Sequence, residues 1–90
     1  MITSSVPTGA ANTVVKARSS VLRRVLVTAA GTGTGNVLIY DNATTNAGLV
    51  IGIIPATIAI GTYYIFDMPA QAGITVQNVA LGPVLTVSCD

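Results

Sequence analysis

Apolar residues along this chain fall into short runs rich in Val, Ile, Leu, Thr and Tyr, separated by clusters of Gly, Pro, Asn, Asp and Ser. In order, the runs are Asn12 to Ala17, Val21 to Ala29, Val37 to Tyr40, Leu49 to Ile54, Thr62 to Phe66, Ile74 to Val79 and Val84 to Cys89. Their length and their β-branched and aromatic content predict seven β-strands and no helix. Gly31, Gly33 and Gly35 mark a flexible hairpin connection, Asp41 to Gly48 a loop, Pro55 and Asp67-Met68-Pro69 strand stops, and Leu81-Gly82-Pro83 a turn. Turns recurring every 8 to 12 residues or so predict an all-β fold, a seven-stranded antiparallel β-sandwich or small jelly-roll-like barrel over residues 12–90. Residues 1–11, with Pro7, Gly9 and small polar side chains, are expected to form an extended N-terminal arm.

The central runs carry apolar residues on both faces. Strict alternation sets Val21, Val25 and Val27 against Leu22 and Leu26, Val37 and Ile39 against Leu38 and Tyr40, and Leu49, Ile51 and Ile53 against Val50 and Ile54. A lone antiparallel sandwich needs only one apolar face. With no helix to cover the other, and with large apolar patches rare on soluble monomers, copies of the chain or a larger lattice are the expected cover. The expected oligomer or lattice interface comprises Leu22, Leu26, Leu38, Tyr40, Val50, Ile54, Tyr63 and Tyr64, one ring of the tyrosine pair pointing inward and the other serving as an anchor. The bland alternative is a barrel-like centre masked by the arm and loops.

Composition sharpens this picture. Charged residues are 8% of the 90-residue chain, apolar residues 51%, and the formal net charge is +1, against roughly 25% charged in ordinary soluble domains. His and Glu are absent, and the acids are Asp41, Asp67 and Asp90. That inventory predicts no enzyme, no cofactor, no metal and no small-molecule substrate: a structural zinc site fails on ligand count. Asp41 and Asp67 each end an aromatic run and read as turn caps in preference to an acid–base pair. The glycine series lacks the following helix, or the Lys-Ser/Thr, of a phosphate loop.

The bases Lys16, Arg18, Arg23 and Arg24 fall close together and are expected to form a patch on the first hairpin that docks on, or ion-pairs with, an acidic partner. Four cations with no aromatic companions make a weak nucleic-acid footprint. Leu49 to Phe66 is uncharged, but Gly52, Pro55, Gly61, the β-branched residues and the flanking Asp41 and Asp67 argue against a membrane span. Cys89 stands alone, and the first residues have neither the basic nor the apolar part of a signal peptide, so assembly in a reducing cytoplasm is expected.

Val25 to Gly33 (containing VTAAGT), Val37 to Ala43 (containing IYDN), Ile51 to Ala56 and Gly61 to Pro69 (GTYYIFDMP) resemble blocks of a family of small tailed-bacteriophage virion proteins, the likeness running from about Thr13 to Ser88. The resemblance implies a capsid-decoration, or cement, protein made in the host bacterial cytoplasm. It would sit on the outer capsid of the virion as a homo-oligomer, with a trimer favoured, and fasten neighbouring major capsid protein subunits. Head-fibre bases and tail-associated structural proteins are the neighbouring alternatives. The rival from another class is a carbohydrate- or nucleic-acid-binding β-module using Tyr63, Tyr64 and the basic segment; a hydrolase or lyase using Asp41 and Asp67 is a third.

Overall fold

The computed structural model describes residues 2–33 and 35–90, leaving aside the Ile2 side chain. Met1 of the expected arm and Thr34 of the glycine series therefore lie outside the described residues. The strands are β1 (Ile2–Val6), β2 (Thr13–Lys16), β3 (Ser20–Ala29), β4 (Asn36–Asp41), β5 (Leu49–Pro55), β6 (Tyr63–Ala70), β7 (Ile74–Gln77) and β8 (Val84–Cys89). They form two four-stranded sheets, ordered β1-β8-β3-β6 and β2-β7-β4-β5, with every pair antiparallel. Pairing β1 with β8, β2 with β7, β3 with β6 and β4 with β5 is the order of a long hairpin rolled up into two sheets, the double-sheet jelly roll.

Eight strands replace the seven expected, because the first part of the expected arm is a strand. β1 pairs along its whole length with β8, from Ile2 opposite Cys89 to Val6 opposite Leu85, and Val6 is fully buried. Its Thr and Ser residues give no apolar alternation to read, but an edge strand can draw its order from the backbone of its neighbour. β6 also runs on through Asp67, Met68 and Pro69 where a stop was expected. Asp67 takes a positive φ of 48° at a bulge, and Pro69, opposite Val21, costs no ladder bond on the free side of an edge strand.

Every connection except β4–β5 passes from one sheet to the other. The glycine series between β3 and β4 is therefore a crossover and not a hairpin, and Lys16 and Arg23 belong to different sheets. At Gly31 the backbone is tightly packed: a Cβ there would collide with the Ala56 carbonyl oxygen and lie 2.7 Å from the backbone of Gly82 and Pro83.

The core holds Leu22, Val25, Val27, Leu85 and Val87 from the first sheet against Val37, Ile39, Ile51, Ile54, Ile74 and Val76 from the second. Two bulges decide which residues enter it. Against β8, Leu22 faces Cys89 while Arg24 faces Ser88, so an extra residue at Arg23 lets Leu22 and Val25 share the inner face. Ile39 faces Gly52 while Tyr40 faces Val50, so Ile51 is extra and joins Ile54 inside. A slip of one residue exchanges the faces of everything beyond it. Leu22 and Ile54, expected at an interface, are consequently core residues with 0% exposure. Tyr64, expected with them, packs half-buried against the core beside Phe66, ring centroids 5.9 Å apart. Gly52 makes this closure possible, since a Cβ there would come within 3.1 Å of the Phe66 ring.

Candidate interaction surface

Among the described residues, the exposed large hydrophobic side chains are unevenly spread. Leu49, Val50 and Ile53 on β5, Ile60 in the following connection, and Tyr63, Ile65 and Met68 on β6 account for seven of the ten. β5 and β6 are the free edges of their respective sheets and touch where Phe66 covers Gly52, so they flank one side of the sandwich. The uncharged run Leu49 to Phe66 thus becomes two strands and a connection that border that side with exposed apolar residues, Val50 and Ile53 on the outer face of the second sheet and Tyr63 and Ile65 on that of the first. No helix among the described residues is long and apolar enough to cross a membrane.

Of the residues expected at an interface, Leu26, Val50 and Tyr63 are exposed, and Leu38 and Tyr40 are partly so on the outer face of the second sheet. Tyr40 donates its hydroxyl hydrogen to Gln77 Oε1 at 3.2 Å. Ile53, at 53% exposure, and Ile65 were missed by alternation alone. The signal for Ile65 was its place two residues from Tyr63, on the same strand face.

The outer face of the first sheet contains a shallow depression of about 320 Å³, lined by Arg24, Val25, Leu26, Tyr63, Thr86 and Ser88. Register places it there: Arg24 stands between Ser88 and Ile65, and Leu26 between Thr86 and Tyr63. Hydroxyls therefore line one flank and apolar side chains the other, with a guanidinium at the middle.

The four cations do not act as a unit. Arg23, at the bulge, donates to Asp67 Oδ1 at 3.2 Å and, through both Nε and a terminal nitrogen, to Asp90 Oδ2. These bonds, that to Asp90 foremost, hold the guanidinium pKa above its ordinary value and the Asp90 carboxyl below its own. Lys16 lies on β2 and Arg18 in the crossover to β3. Neither these two nor Arg24 has an ion-pair partner among the described residues.

The two aspartates weighed as a catalytic pair are each engaged in structure. Asp41 accepts from the backbone N–H groups of Gln71 at 3.0 Å, Ala72 at 2.8 Å and Gly73 at 3.4 Å, which lowers its pKa, Gln71 and Ala72 contributing most. It caps the β6–β7 connection, as turn capping requires. A carboxyl whose pKa is depressed by folding adds stability above its unfolded value, near 3.9, and loses it as pH falls through the folded value. Acid titration of the parent should therefore show the urea midpoint falling below about pH 4. In Asp41→Asn part of that fall should vanish, with stability at neutral pH lower by about 1–3 kcal/mol, the scale of hydrogen bonds to a charged acceptor. An unchanged acid profile in the variant would remove the cap from the stability account.

The glycine series spends its amides internally. The N–H groups of Thr32 and Gly33 both donate to the Leu81 carbonyl, at 2.8 and 2.9 Å, which leaves no cradle of those two amides for a phosphate. No group of three or more potential metal-ligating side chains occurs among the described residues. Comparison of the chain with protein-family models, curated proteins and solved structures gives no match.

Proposed function

We propose that this chain is a structural virion protein of the cement type, which self-associates and binds the outer surface of a phage capsid to stabilise the major capsid protein lattice, with a trimer the favoured assembly. It acts by binding and not by turnover. The observation that carries the reading is the concentration of exposed apolar side chains on the β5–β6 side of a molecule with so few charges. An apolar side of this kind is what partner chains cover. The jelly roll is used by viral capsid and lectin domains. The phage assignment itself rests on the sequence blocks quoted above.

Sedimentation of the purified chain tests the self-association half. The parent should sediment as an oligomer that dissociates on dilution, and Ile53→Lys should weaken it by about tenfold or more, as loss of an apolar anchor does, with an unchanged melting midpoint. A monomer at all concentrations would refute this half. Co-sedimentation with empty capsid shells tests the other, and absence from the shell pellet would refute it. A carbohydrate-binding reading is favoured by one observation, the depression that joins Tyr63 to Arg24 and two hydroxyls.

A further inference from the structure

We infer that the depression on the outer face of the first sheet is where the chain grips a different protein, and that the group it receives is a carboxylate set among apolar residues of that partner. The inference deepens the proposed function, since it presumes that the chain works by binding other proteins. The chain has three acidic side chains, and all three are engaged: Asp41 with three backbone N–H groups, Asp67 and Asp90 with Arg23. Arg24 is exposed and has no carboxylate partner among the described residues. A second copy of the chain brings the same three acids, each already bonded within its own fold. A carboxylate of a different protein, not committed in this way, is the complement that competes with none of these bonds.

The surroundings of Arg24 say what kind of molecule. Its cross-strand neighbours are Ser88 and Ile65, and the next row holds Thr86, Leu26 and Tyr63. A guanidinium flanked by a tyrosine and aliphatic side chains has the composition of a protein–protein hot spot. Once those neighbours exclude water, a two-pronged bond to a carboxylate is strong and directional. A nucleic acid would instead ask for a row of cations along its phosphates, whereas Lys16 and Arg18 lie on β2 and in the crossover that follows it. Tyr63 and Ile65 border both surfaces, but self-association and docking centre on different chemistry, the first on the uncharged side chains of β5 such as Ile53 and the second on a single cation within an apolar and hydroxyl frame.

The experiment is an NMR titration of the isotopically labelled full chain with a short acetylated, amidated peptide that places one Asp between Val and Tyr. The same peptide with Asn, an oligodeoxythymidylate and an oligogalacturonate serve as competing probes. At millimolar concentration the Asp peptide should shift the amides of Leu26, Thr86 and Ser88, and both the Asn peptide and the Arg24→Gln variant should weaken binding about tenfold or more, the size of a lost charge-assisted bond. Arg24→Gln should leave the melting midpoint and sedimentation unchanged. No shift with the Asp peptide, equal binding of the Asn peptide, stronger shifts at the same amides from either polyanion, or loss of self-association in Arg24→Gln would each overturn the inference. A chain that stays monomeric yet binds the peptide through Arg24 would instead refute the self-association reading and leave this one standing.

Discussion

Replacing Asn78 with alanine is expected to lower the stability of the fold by about 2–4 kcal/mol, because it strands one buried and two part-buried polar groups at once. Asn78 is 3% exposed and sits between two connections. Its Nδ2 donates to the carbonyl of Pro7 at 3.0 Å and to that of Pro83 at 2.7 Å, while its Oδ1 accepts from the backbone N–H of Val79 at 2.8 Å. The first carbonyl belongs to the β1–β2 crossover and the second to the β7–β8 crossover, so one side chain fastens the strand that sequence patterning misses to the strand it pairs with. Gly82 leaves the space for it, since a Cβ there would run into Oδ1. Asn78→Asp separates hydrogen bonding from volume. It keeps the shape but aims a carboxylate at two carbonyl oxygens, so its deficit should exceed that of alanine at neutral pH and shrink in acid, where the protonated form can donate once. Urea unfolding of both variants across pH measures this. A loss below about 0.5 kcal/mol for alanine, the size of an ordinary surface change, would show that water replaces the amide without cost.

The positions of β2, β3, β4, β5, β7 and β8 were legible within a residue or two, because each is a short apolar and β-branched run flanked by turn-forming Gly, Pro, Asn, Asp or Ser. β1 was not legible, since its order comes from pairing with β8 and its two apolar residues, Ile2 and Val6, stand at its ends with only Thr and Ser between them. The faces of β3 and β5 were not legible either. A bulge adds one residue without altering composition, and nothing in the local sequence announces that Arg23 or Ile51 is the extra one. The cation cluster failed for a topological reason: neighbours along the chain were separated by a crossover between sheets. Asp41 was legible as a cap but not for the turn it caps, which lies thirty residues onward at Gln71 to Gly73, whereas Asn42 does close its own loop by accepting from the N–H groups of Thr44 and Thr45. The uncharged run from Leu49 to Phe66 was visible as an oddity, and only the pairing of its two halves at the edges of opposite sheets turns it into a surface.

Leu22→Ala is expected to cost about 2–5 kcal/mol and Leu26→Ala well under about 1 kcal/mol, although simple alternation places the two leucines on one face. Leu22 is 0% exposed and Leu26 is 41% exposed, and the difference is the work of the bulge at Arg23. The bulge is held from outside the sheet: the Arg23 side chain, turned out of the alternation, bonds Asp67 at the matching irregularity of β6 and Asp90 just beyond β8. The same contrast should recur on β5, where Ile54→Ala is expected to be severe and Ile53→Ala mild, since Ile54 is 0% and Ile53 is 53% exposed. Urea midpoints for the four variants decide the matter together with sedimentation, because the mild pair should keep the fold and the severe pair should lose stability before association can be measured. If Leu26→Ala proved severe and Leu22→Ala mild, the phase of β3 would be reversed. Arg24 would then point into the core, and the depression proposed for a partner's carboxylate would not exist. The leucine pair thus tests the one structural feature on which both surfaces depend, namely which side of each bulge faces out.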